Sequence, residues 1–129
     1  MTEPRWLALV HVLAIHSDQI KTHGGSAGLR DRGLLESALE RPKNQFHYGS
    51  DPDLASLAAA YGFGLANNHP FVDGNKRVAF QAMYLFLGLN GFRIEAPEEA
   101  VVSLILSLAA GELNETELAD WVRRHINPR

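Results

Sequence analysis

His69-Pro70-Phe71-Val72-Asp73-Gly74-Asn75-Lys76-Arg77 runs without a break into Val78-Ala79-Phe80-Gln81-Ala82-Met83-Tyr84-Leu85-Phe86-Leu87-Gly88-Leu89. The second part decides the fold. Val78, Ala79, Ala82, Met83, Leu85, Phe86 and Leu89 cover much of a helix circumference, the pattern of a central helix rather than a peripheral one. Asn90-Gly91 ends it as a C-cap pair. The polar loop that feeds its N-terminus is where the chemistry is concentrated.

Working outward, the same period recurs on both sides. Upstream, Asp53 or its neighbour starts a helix through Leu54, Leu57, Ala58, Tyr61, Leu65 and Ala66, whose alanines and glycines imply close contact with another helix. Residues 5–22 read as a first helix, with Trp6, Leu9, Val10, Leu13 and Ile20 at mostly three- and four-residue spacing, and Gly24-Gly25-Ser26-Ala27-Gly28 stops it. Asp31 reads as the N-cap of a short helix from Arg32 to Glu40, with Leu34, Leu35 and Leu39 inward and Pro42 closing it. Lys43 to Pro52 reads equally as an irregular loop or as a short extended flap. Downstream, Phe92 to Glu95 is a short extended crossing to Pro97. A fifth helix runs to about Ala110 and a sixth begins at Asn114 or Thr116, with Leu118, Trp121, Val122 and Ile126 as its apolar face. The expectation is an all-α domain spanning 1–129, with about six helices and at most a trace of strand.

Bulk composition narrows the function classes. A chain of 129 residues buries one core without staples. A net charge of -3 argues against a general nucleic-acid binder, which is normally basic. Cysteine is absent, which removes disulfides and thiolate chemistry. There is neither a signal-peptide pattern nor an apolar run of the roughly 18 residues that span a bilayer. A cytoplasmic protein with no membrane partner is expected. His11, His16 and His23 show no ligand spacing with nearby acids, and no H-E-x-x-H pattern exists, so a zinc enzyme is not expected.

The loop offers an anion cradle at one end and a base at the other. Where Gly74-Asn75-Lys76-Arg77 becomes helix, unpaired N–H groups and the positive end of the dipole await an anion. Gly74 leaves the backbone approachable, Asn75 suits an N-cap, and Lys76 and Arg77 add positive charge. Two cations there oppose the helix dipole unless an anion sits between them. Asp73 beside a phosphate calls for a bridging cation, for which Mg²⁺ is the natural choice. His69 is placed to take a proton from a hydroxyl near neutral pH. Each residue also has a plain reading: a surface histidine, an ordinary Asp-Gly-Asn turn, a solvated Lys-Arg pair.

Together these residues resemble the signature of the Fic/Doc family, H-P-F-x-[D/E]-G-N-G-R-x-x-R in its Fic form. Lys76 stands where that form has its second glycine, and Phe80 where it has its final arginine. The looser Doc form, roughly H-x-F-x-[D/N]-[A/G]-N-K-R, is satisfied throughout. Gly24 to Asp31 and Gly33 to Ala38 resemble the N-terminal part of Doc-like proteins, so the likeness covers nearly the whole chain. The resemblance implies a helical Fic/Doc fold and transfer of part of ATP, with Mg²⁺, to a protein hydroxyl. Within the Doc branch the implied reaction is phosphate transfer onto elongation factor Tu. Adenylyl transfer of the Fic type and a non-catalytic member remain as alternatives. By the same resemblance His69 is the general base, Asp73 the Mg²⁺-side carboxylate, and Gly74, Asn75, Lys76 and Arg77 hold phosphates. Asn67 is a further candidate for the nucleotide, or simply an amide closing its helix. Phe46, His47 and Tyr48 are candidates for a flap that aligns the target as an added strand. No inhibitory [S/T]-x-x-x-E-[G/N] pattern occurs, so a separate antitoxin is the expected partner; Leu9 and Leu13 are candidate contacts, although plain core packing is the stronger reading for both.

Overall fold

The computed structural model describes residues 1–49 and 51–129. Helix α3, Leu54–Asn68, runs through its middle, and almost every residue from Ala55 to Ala66 is buried. Small side chains make this possible. A Cβ on Gly62 would lie 2.5 Å from the sulfur of Met83, and one on Gly64 would touch Ala38 at 3.4 Å. Helices α2 (Arg32–Tyr48), α4 (Asn75–Leu89) and α6 (Glu115–His125) therefore close directly onto α3. Between them Leu35, Leu57, Tyr61, Val78, Met83, Phe86, Leu118 and Val122 are fully enclosed. Each such side chain contributes roughly 1.5–3 kcal/mol of hydrophobic stabilisation.

Helix α1 (Leu9–His23) lies on α4, and α5 (Glu98–Ala109) covers another part of α4. Strand β1 (Phe92–Ile94) pairs antiparallel with β2 (Ile126–Pro128), Arg93 opposite Asn127. The class is all-α, with six helices among the described residues and this two-stranded ribbon. No described helix is long and apolar enough to cross a membrane.

Four local expectations are corrected. The first helix begins at Leu9, not residue 5, because the backbone before it is held by tertiary partners: Arg5 exchanges two hydrogen bonds with the Asn90 amide, and the Leu7 N–H donates to the Tyr61 hydroxyl. The second helix does not end near Pro42 but continues to Tyr48. A proline inside a helix costs about 3 kcal/mol, yet Pro42 lies on the buried face with Leu35, Ala38 and Leu39, whose packing offsets that cost. Phe46, His47 and Tyr48 are consequently the last turn of a helix and not an extended flap. Ile126, assigned to the last helical face, instead opens β2.

Candidate active site

Helix α3 ends at His69, which takes the left-handed conformation (φ 49°, ψ 55°) as the C-cap. Such a backbone is uncommon for a residue with a Cβ and costs about 1–3 kcal/mol. It turns the chain sharply, so that Pro70 and Phe71 go inward and Val72 and Asp73 return to solvent. Gly74, at φ 79°, is the N-cap of α4. A Cβ there would meet Ile20 and His16 only at ordinary contact distance, so glycine is required by backbone conformation and not by close approach.

Asn75 is the first residue of α4 and not its cap. Its buried amide accepts from the Phe71 N–H and donates to the Phe71 carbonyl, both at 2.9 Å. That pair of bonds ties the loop across its neck. The Asn75 side chain is thus a structural clamp, and only its backbone N–H, in the first turn of the helix, remains for an anion. Phe71 is buried beneath the loop and stacks on His16 of α1, ring centroids 3.9 Å apart. The Nε2–H of His16 donates to the Asp73 carbonyl at 2.9 Å, a tautomer set by the acceptor-only partner.

A second segment, Gly24 to Asp31, lies along the motif like a strand. Val72 N–H donates to Gly28, Arg30 and Asp31 N–H groups donate to Pro70, and Leu29 forms a bridge with Phe71. At one end the Ser26 N–H donates to the Asp73 carboxylate at 3.2 Å. At the other end the Arg30 guanidinium donates to the carbonyls of Asn68 and His69. Gly25, at φ 112°, passes so close that a Cβ would stand 2.6 Å from the Asp73 carboxylate. The N–H groups of Ser26 and Gly74, with Arg77 and His16 nearby, hold the exposed Asp73 carboxyl below its ordinary value, so it is ionised.

His69, Asp73, Gly74, Asn75, Lys76 and Arg77 line one cleft of about 460 Å³, roofed by Ile105, Leu106 and Ala109 of α5. The size suits a small ligand. Neither Lys76 nor Arg77 makes an ion pair among the described residues, and Arg77 Nη1 is buried with no hydrogen-bond partner. A buried guanidinium N–H without an acceptor is costly and rare. Beside the positive end of α4 it marks a place for an anion. Asp73 fits a Mg²⁺ site of the kind that takes one carboxylate and completes its shell with phosphate and water. No group of three or more His, Asp or Glu side chains suited to holding a metal by themselves occurs among the described residues.

Four of the residues singled out in the sequence are not brought to this cleft. Asn67 donates to the Phe63 carbonyl of its own helix at 2.8 Å. Phe46, His47 and Tyr48 lie at the far end of α2, whose start adjoins the motif. At 1.5 Å per residue that places Tyr48 roughly 24 Å away along the helix. The strand-like segment beside the motif is Gly24 to Asp31 instead. Its run of glycines around a serine, followed by Arg30, was the signal in the sequence, and His16 carried none.

The motif loop, its clamps and the helices that carry it belong to a known class. A model of the Fic/DOC family matches residues 6–87, and the chain belongs to that family. Its relatives place it on the Doc branch. It is 33% identical over 121 residues to "Protein kinase doc" of Escherichia phage P1, covering 93% of this chain and 94% of that protein. It is 47% identical over 75 residues to "Toxin Doc" of Mycolicibacterium smegmatis, a match that spans 57% of each.

Proposed function

We propose that this chain is a Doc-type toxin that transfers the γ-phosphate of ATP to a hydroxyl of a translation factor, with elongation factor Tu as the target. One observation carries the reading: Arg77, which has a buried, unpartnered N–H and follows Lys76 in the first turn of α4, lines the same cleft as His69. The relative in phage P1 is named a protein kinase, which favours phosphate over AMP.

In this reading the His69 imidazole, which makes no hydrogen bond to the described protein, takes the proton of the target hydroxyl. The hydroxyl oxygen bonds to the γ-phosphorus, the bond from that phosphorus to the bridging oxygen breaks, and ADP departs. Lys76, Arg77 and the first N–H groups of α4 hold the phosphates and stabilise their charge as it redistributes. Mg²⁺, when bound at Asp73, would neutralise phosphate charge. Phe80 is buried beside Arg77 in α4, so no second guanidinium stands one turn further on. The triphosphate then has its strongest anchors close to His69, which suits attack at the terminal phosphorus.

An antitoxin is the proposed regulator. Leu9 is half-buried against the core, whereas Leu13 and Val10 on α1 are 39% and 66% exposed. Between α1, α4 and α5 a cleft of about 300 Å³, walled by Phe80, Val102 and Leu106, opens beside Arg77. A partner segment seated there would neighbour the phosphate site.

ATP labelled at the α- or the γ-phosphate decides the transfer. Label reaching elongation factor Tu from the γ-position alone is expected; label from the α-position alone assigns adenylyl transfer and sinks the kinase reading. Toxicity undiminished in His69→Ala would point to a non-catalytic member.

A further inference from the structure

We propose that Arg30 is a positioning residue that holds His69 in its left-handed conformation and thereby aims the imidazole at the cleft. This rests on the functional reading of His69 as the base.

Helices α1 and α2 end conventionally, with a backbone N–H returning to the last turn: Gly24 to Ile20, and Gly49 to Gln45. Helix α3 ends differently. Its C-cap is a histidine at φ 49°, where glycine would be cheaper by the steric penalty on Cβ. The last two carbonyls of this helix end, those of Asn68 and of the cap itself, have no partner within the helix and are taken by one guanidinium. Arg30 Nη2 donates to Asn68 O at 2.9 Å and Nε donates to His69 O at 2.7 Å. The Arg30 backbone N–H also donates to Pro70 O at 2.7 Å. Three consecutive residues, 68, 69 and 70, are thus gripped by one arginine.

The grip needs arginine's shape. Two carbonyls of adjacent residues are met by two N–H groups of a rigid planar fork, which a lysine ammonium matches poorly. Arg30 makes no ion pair among the described residues, so no acidic partner accounts for its placement. A cation at the C-terminus of α3 also complements that end of the helix dipole. The bonds reach the His69 backbone and leave its ring free. Arg30 therefore acts on where the base points, not on what holds ATP. Ser26, at the other end of the same segment, holds Asp73, so one stretch of chain sets the spacing between base and carboxylate.

The test compares the full chain with Arg30→Gln and Arg30→Lys on three readouts. These are γ-phosphate transfer to elongation factor Tu, ADP affinity by calorimetry, and the His69 backbone conformation from NMR Cα and Cβ shifts. Arg30→Gln is expected to lower kcat about 100-fold, the scale of a roughly 1 Å misplacement. ADP affinity and KM for ATP should stay within about two-fold, and His69 should leave the left-handed region. Arg30→Lys should recover part of the rate. The proposal is overturned if His69 keeps its conformation in Arg30→Gln, or if transfer and ADP affinity fall together, which marks a merely structural residue. If the unaltered chain transfers nothing, the functional reading fails by itself, and the His69 shifts in Arg30→Gln still decide whether Arg30 holds that conformation.

Discussion

The two ends of helix α3 treat charge in opposite ways. At its N-terminus the capping carboxylate is matched by an arginine. Asp53 caps the helix by accepting from Ser56 N–H and takes two bonds from Arg123, which also reaches Asp120. Nearby, Arg41 and Gln45 of α2 both donate to Glu115 of α6. At the C-terminus the cations of the motif make no ion pair among the described residues, and Arg77 keeps a buried N–H unpaired. Paired charges there fasten helices together. Unpaired charges in a cleft are held for something that arrives later, which the proposed reading takes to be the phosphates of a nucleotide.

Substitutions at the motif end should therefore change activity without harming the fold, and the largest loss is expected at His69. His69 is exposed and its ring bonds to nothing described. His69→Ala should cut transfer about 10²- to 10⁴-fold, the usual worth of a general base. Its thermal midpoint should stay nearly unchanged, since alanine keeps the Cβ that the left-handed backbone strains and only an exposed ring is lost. Transfer rates and differential scanning calorimetry on the same preparation check both halves. Next in size is Arg77→Met. Losing charge-assisted bonds to phosphate should weaken ATP binding about 10- to 100-fold, and because an unsatisfied buried N–H is removed, stability should not fall. A drop in midpoint would mean that Arg77 has a protein partner after all, and the contrast between the two ends would break.

The same contrast explains how much could be read in advance. The motif end was easier to find because its candidate residues fall within nine positions of the chain: His69, Asp73, Lys76 and Arg77 were singled out together, and all line the cleft. Its supports were not. Arg30 is 39 residues from His69, and His16 is 57 from Asp73; neither carries a local pattern that says what it will touch. Asn75 was read as an N-cap that shapes the loop and, through the family resemblance, as a phosphate ligand; the structure makes it the first helical residue and commits its amide to Phe71. Helix periodicity gave α3, α4 and α5 well because their apolar faces are continuous. It failed at Pro42, where burial overrides the local preference, and at β2, which exists only because α6 returns the chain to β1.

At the paired end the expected effects are on stability alone. Asp53→Ala removes an N-cap and the Arg123 bonds together. The cap is worth about 1 kcal/mol, and the half-exposed ion pair adds at most about 1 kcal/mol more. Urea denaturation should show that loss while γ-phosphate transfer stays at the unaltered rate; a parallel fall in transfer would mean that the ends of α3 are coupled.

Acid unfolding separates the two low-lying carboxylates most finely. Bonds from Arg123, helped by Ser56, hold Asp53 far below its ordinary 3.8. As pH falls, the unfolded chain takes its proton near 3.8 and the folded chain only later. The stabilisation is therefore complete above the ordinary value and drains away as pH drops through the folded one. Asp73 is shifted in the same direction, but by N–H groups of Ser26 and Gly74 and while exposed to water. Asp53→Asn should flatten the acid limb of stability, measured from about pH 6 to about pH 2.5, more than Asp73→Asn does. The smaller change expected at Asp73 follows from solvent screening of an exposed group. An equal flattening would show that the Gly25-Ser26 contact fastens the fold as firmly as the Arg123 pair, and the motif end would then be structural as well as chemical.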